Sequence, residues 1–336
     1  MSALVESPLQ LLCAVEAHAA GHTEGRLRIT ARQGVPTMPD TVAALRELGL
    51  PDGVDVQVGP ARRALAPEEP WVCGDPFSGA YQAALSTGTP SRQVVVDDGL
   101  GTLDVVDRLV SGRPLVRLSA PRHPVRRVLG AMTTRRLRRQ AARGGLTLCT
   151  MLPLGDARRA ALSRLGVEVV EHSFEWLASH TPTGPGAAGA EPTVVVGSAL
   201  VADRLVHPDH YLTWLRGLAA DGPVRYVPHR RHHPLVTAAV ETLPGVRVDA
   251  PGAPVELRLR GLDPDQQVVS LPSTSAVTLT RLLGPRGVRV TTHDVPDSWW
   301  TPHATPALRD HLRRAALLAR AATPSRRPSP ARVRVS

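Results

Sequence analysis

Four short stretches combine side chains suited to chemistry, each where an apolar run gives way to a turn. Val94-Val95-Val96 ends in Asp97-Asp98-Gly99. Two adjacent carboxylates after a buried strand suit a general base, because one charge raises the pKa of the other. The same pair also suits a turn or a cap before the helix that begins near Leu103. Adjacent aspartates point in different directions, so they are less apt for chelating a metal than a spaced pair. Tyr226-Val227-Pro228 leads into His229-Arg230-Arg231-His232-His233-Pro234, where five of six positions are cationic or titratable. Histidine changes charge near neutrality, and beside a leaving phosphate His or Arg stabilises developing negative charge. A solvated basic loop is the plainer account. No carboxylate or further Cys/His cluster adjoins these histidines in sequence, and their spacing is not helical, so no metal site is expected. Ser270-Leu271-Pro272-Ser273-Thr274-Ser275 sets hydroxyls at a helix start, a cradle for phosphate, although one hydroxyl is enough for a cap. Val5-Glu6-Ser7-Pro8-Leu9-Gln10 places Ser7 as a cap whose neighbouring N–H groups suit an anion or a polar ligand, or serve the helix alone.

The elements that must position these residues alternate between short β-branched runs and helix-period segments. Strands are expected at 3–5, 27–29, 54–58, 71–73 and 93–96, with helices at 8–20, 41–48, 80–85 and 103–110 between or after them. Residues 181–192, TPTGPGAAGAEP, break this rhythm and read as a linker. Strands then recur at 193–196, 225–227, 268–271 and 288–291, with helices at 209–218, 275–283 and 307–321. Buried apolar strands separated by helices indicate parallel sheets covered on both faces. The reading is α/β, two doubly wound Rossmann-like domains over 1–180 and 193–322. A disordered Pro/Ser/Arg tail is expected at 323–336. Ligands bind outside the carboxyl ends of such strands, so the expected site is the inter-domain cleft.

The order of the four stretches is more specific than any one of them. SPLQ near the start, DDG late in the first domain, a His loop and then an ST turn in the second resemble the bacterial GT-B sialyltransferases and polysialyltransferases. Those families carry D/E-D/E-G, HP and S/T motifs in that order, and the resemblance runs from Glu6 to about Leu283. It implies a GT-B-like fold and an inverting, metal-independent transfer of an acidic sugar from a CMP-sugar to a hydroxyl of a glycan or glycolipid. No cofactor is implied. Asp97 matches the general base, with Asp98 and Gly99 beside it. His229 matches the ligand of the CMP phosphate, joined by Ser273, Thr274 and Ser275, with Arg230 adjacent. Gly197-Ser198 looks like a family turn near the nucleotide. The family His precedes Pro, whereas His229 precedes Arg230. The literal dipeptide is His233-Pro234, so His233 is the alternative.

Bulk composition narrows the field. The chain of 336 residues is 42% apolar, enough for two α/β cores. Its aromatic share of 3% leaves those cores to Val, Leu and Ala. All 40 basic residues are arginine, and the net charge of +10 permits an anionic partner without choosing one. Nucleic acid is not the expected partner, because no recognition motif is present and aromatics for base stacking are few. Cys13, Cys73 and Cys149 lie far apart with no CxxC pair, which fits a reducing cytoplasm rather than a disulfide framework. No apolar run approaches a membrane span. The segment Arg122–Arg143 holds eight arginines. It suits a basic amphipathic helix for anionic phospholipid or a polyanionic acceptor, or a solvated helix face. Trp299-Trp300 suit either a ligand stack or the packing of the last helix. The competing accounts are a GT-B transferase using a UDP- or GDP-sugar, a GT-B fold that binds sugar nucleotides without turnover, and a polyanion- or nucleic-acid-binding protein.

Overall fold

The computed structural model describes residues 1–117, 124–182, 189–231 and 233–322. Half of the expected linker (183–188), the tail from 323, Arg122 and His232 lie outside the described residues. Seven strands form the first sheet: β1 (Ser2–Val5), β2 (Leu27–Arg32), β3 (Val54–Gly59), β4 (Trp71–Cys73), β5 (Gln93–Val96), β6 (Leu146–Thr150) and β7 (Glu168–Glu171). All are parallel, in the order β3-β2-β1-β4-β5-β6-β7. Five strands form the second sheet: β8 (Thr193–Val196), β9 (Val224–Val227), β10 (Val246–Val248), β11 (Gln267–Ser270) and β12 (Arg289–Thr292). They too are parallel, in the order β10-β9-β8-β11-β12.

Each sheet therefore starts at its centre, winds outward to one edge, and crosses back to build the other. The direction reverses between β1 and β4 in the first sheet and between β8 and β11 in the second. At that reversal the flanking helices diverge and leave a crevice beyond the strand ends. Burial follows the topology. The central β1, β5 and β6 are buried at every residue, whereas the edge strands β7 and β12 are partly exposed. That contrast explains the near-continuous apolar character of the central runs.

The two halves share packing. One apolar cluster joins the first sheet and its helices to Val194, Val196, Val227 and Leu257 of the second half. The second sheet keeps a separate cluster around Val195, Tyr211, Tyr226, Trp299 and Trp300. Trp299 stacks on His210 with ring centroids 6.1 Å apart. Arg309, on the last helix (Pro306–Ala321), lies over the Trp300 ring at 5.5 Å. Trp300 thus meets the closing helix, while Trp299 packs among His210, Trp214 and His293. Cys13, Cys73 and Cys149 are all free and buried. No helix among the described residues is long and apolar enough to cross a membrane.

Candidate active site

The ends of the central strands converge on a cleft of about 390 Å³ lined from both halves. Ser7, Asp98 and Leu100 face it from the first half, and Gly197, Ser198, His229, Arg230, Ser273, Thr274 and Ser275 from the second. The loops after β1, β5, β8, β9 and β11 thus meet at one place, which is where doubly wound sheets hold ligands.

The two adjacent aspartates lie in opposite surroundings. Asp97 is completely buried. Its Oδ1 accepts from the Thr150 hydroxyl at 2.8 Å and its Oδ2 from the Met151 amide at 2.5 Å. Burial raises its pKa to about 6 against those bonds. Asp97 does not line the cleft. Asp98 does, with one fifth of its side chain exposed. Gln10 Nε2 donates to its Oδ1 at 2.6 Å and Arg117 to its Oδ2 at 2.7 Å. Burial and the neighbouring Asp75 raise its pKa, while Arg117 and Gln10 lower it. Residues placed side by side in sequence are separated by the strand end: one points back under the sheet, the next out over it.

Several partners of this arrangement carry no motif in sequence. Arg117 also binds Asp75 at 2.8 Å and lies over the Phe77 ring at 5.3 Å. Glu6, beyond β1, has its pKa raised by burial and pairs with Arg32 at 3.4 Å. Glu256 is buried at the cleft wall, where the Thr278 hydroxyl donates to it, and burial raises its pKa. Thr150 sits on β6, a strand that sequence patterning does not signal.

Beneath the cleft lies a second polar cluster. Cys13, Asp97 and His172 each bring one potential ligand atom within 4.8 Å of the others. His172 Nε2 lies 4.0 Å from Asp97 Oδ2, and neither ring nitrogen has a hydrogen-bond partner. Burial lowers the His172 pKa to about 4, so the ring is neutral. These three residues are scattered over the chain, so spacing could not reveal their meeting.

The turns fix close approaches. Gly99 has φ of +62°, and a Cβ there would lie 2.5 Å from the Thr274 side chain. The Thr274 hydroxyl accepts from the Leu100 amide at 3.2 Å. Thr274 therefore latches the two halves together, and because its hydroxyl only accepts in that bond, its O–H stays available to a ligand in the cleft. A Cβ on Gly197 would meet the His229 amide nitrogen at 2.8 Å, so only glycine lets the β8 and β9 loops come together. Ser273 caps helix Thr274–Leu283, its hydroxyl accepting from the Ala276 amide at 3.3 Å. The other first-turn amides have no carbonyl within the helix to serve. Ser198 likewise accepts from Leu200, and Ser7 from Gln10.

His229 lies on the cleft wall, where its Nδ1 accepts from the Arg231 amide at 3.0 Å. Arg230 lines the same wall, and burial lowers its pKa while Asp98, across the cleft, raises it. His233 does not line the cleft. It precedes helix Pro234–Glu241, and its Nδ1 is buried without a partner.

Two parallel Rossmann-like sheets facing a shared cleft define a GT-B-like α/β fold. In agreement, the chain superposes on an α/β-galactoside α-2,3-sialyltransferase from Photobacterium phosphoreum with a TM-score of 0.51, at 9% identity over 94% of this chain and 95% of that one. A UDP-glucose:anthocyanidin 3-O-glucosyltransferase in complex with UDP gives 0.42 at 10% identity, over 95% and 94% of the two chains. No protein-family model matches the chain, and no curated protein matches it in sequence.

Proposed function

We propose that this protein is an inverting glycosyltransferase that moves an acidic sugar of the sialic acid class from a CMP-activated donor to a glycan hydroxyl. The observation that carries the reading is the opposition, across one inter-domain cleft, of a partly exposed carboxylate, Asp98, to His229, Arg230 and the Ser273-capped helix start. The fold shared with a sialyltransferase and the motif order along the chain support it.

In this reading Asp98, rather than Asp97, takes the proton from the acceptor hydroxyl. A base must touch its substrate, and Asp97 is completely buried and off the cleft, whereas Asp98 lines it. Gln10 and Arg117 hold Asp98 in place, and burial raises its pKa, which makes it a stronger base. The acceptor oxygen attacks the anomeric carbon from the face opposite the phosphate. The bond from that carbon to the CMP oxygen breaks, the configuration inverts, and CMP carries away the electron pair. His229, Arg230 and the helix amides stabilise the charge that develops on the phosphate. A monophosphate leaving group concentrates less charge than a diphosphate, which suits cationic side chains and a helix start as its partners. Asp97 holds the β5 and β6 loops in register below the cleft.

Calorimetric titration of the EDTA-treated protein with CMP, UDP and GDP tests the donor. Selective CMP binding that weakens in His229→Ala and persists in His233→Ala is expected. Preference for UDP or GDP assigns the site to another sugar nucleotide, and binding that fails only in His233→Ala moves the phosphate role to that residue.

A further inference from the structure

The helix Pro124–Ala141 packs on the first half through Gly130, Thr133, Thr134, Leu137 and Ala141. Its opposite face is unusual. Val125, Val128 and Met132 are 56%, 59% and 40% exposed and recur at helical spacing, so they form one apolar stripe in water. The stripe continues along the same face into Arg135 and Arg139, both exposed, with exposed Arg126 and Arg127 flanking its start. Stray exposed apolar residues are ordinary, but three of them aligned on one helix face and bordered by arginines offer an apolar and a cationic contact side by side.

We propose that this face docks on an anionic bilayer, with Val125, Val128 and Met132 entering the acyl boundary and the arginines pairing with headgroup phosphates. Charge complementarity selects this occupant. A second copy of the chain would set arginines against arginines. A nucleic acid would use the cations but leave the valines and methionine in water, and the exposed face carries no aromatic ring for stacking a base. A bilayer satisfies both halves of the stripe.

The geometry links docking to the cleft. The Leu115 amide donates to Gly130 O of this helix at 3.2 Å, and two residues on, Arg117 binds Asp98. The docking face is thus built onto the segment that holds the acceptor lip, which suits an acceptor carried on a lipid.

Flotation of the full chain with phosphatidylcholine vesicles, with and without phosphatidylglycerol, tests the proposal, with CMP binding measured on the same preparations. Binding is expected only to the anionic vesicles and only at low salt. Val125→Asp/Val128→Asp and Arg126→Gln/Arg127→Gln/Arg135→Gln/Arg139→Gln should each weaken it by at least about tenfold, while CMP binding and melting temperature stay as in the wild type. Failure of the wild type to float would overturn the proposal. So would undiminished flotation of the apolar variant together with equal, salt-sensitive binding of duplex DNA, which would make the face a general polyanion surface. Because CMP binding is read separately, loss of docking is not mistaken for failure of the transferase reading.

Discussion

The two sheets share a topology but end in opposite chemistry. Three strands of the first half finish in acids, with Glu6 after β1, Asp75 after β4 and the aspartate pair after β5. The three strands of the second that reach the cleft finish in cations and hydroxyls, with Ser198 after β8, His229 and Arg230 after β9 and Ser273 after β11. Doubly wound sheets of this order place every one of these loops at the same end. The backbone decides where a loop lies, and side chains decide what it does. One lip can withdraw a proton, and the other can receive negative charge.

The sharpest way to break this division is to neutralise one lip alone. Asp98→Asn should lower kcat by about 10²- to 10⁴-fold while leaving CMP affinity unchanged, read by turnover and calorimetry on one preparation. The surviving wild-type rate should fall as pH drops through a pKa above the ordinary Asp range, since the ionised form acts and burial raises that pKa. His229→Ala strikes the other lip. It should cost about 10²-fold in kcat/KM and should weaken CMP, with His233→Ala close to wild type. Gly99→Val attacks the contact between the lips. The new Cβ collides with Thr274 at a backbone angle valine resists, so kcat/KM should fall by about tenfold through misplacement with both lips chemically intact.

The smallest effect concerns stability beneath the cleft. His172 has two buried ring nitrogens without partners and packs edge-on against Phe174 at 5.0 Å. His172→Phe should stabilise by about 1–3 kcal/mol at neutral pH, the usual cost of unsatisfied buried polar atoms, as read by chemical denaturation. The folded pKa of about 4 lies below the ordinary 6.5. The stability tied to neutral His172 is therefore present above 6.5 and lost as pH falls toward 4, so the gain should grow on acidification. Asp97 acts with opposite sign. Its folded pKa of about 6 exceeds 3.8, and its contribution is present below 3.8 and lost as pH rises through 6.

Most of the fold was legible because the central strands are buried on both faces and read as Val-rich runs. Leu146–Thr150 escaped notice because Thr147, Cys149 and Thr150 interrupt its apolar pattern although all are buried. Glu168–Glu171 is an edge strand flanked by charges, and Val246–Val248 is three residues long. The cleft residues carried by local motifs, Asp98, His229 and Ser273, were legible for the same reason that they cluster: each follows a strand end. The choice between Asp97 and Asp98 was not. It depends on Thr150 and Met151, more than fifty positions away, and on Arg117, which no motif marks. The contact of Thr274 with Gly99 was not legible either, because nothing local records that the two lie together.

The most direct test compares sugar transfer from CMP-sialic acid by Asp97→Asn and Asp98→Asn, each normalised to folded, CMP-binding protein. The account predicts that Asp98→Asn binds CMP and does not turn over, whereas Asp97→Asn is less stable but transfers sugar. A silent Asp97→Asn beside an active Asp98→Asn would contradict it and return the base to the buried carboxylate.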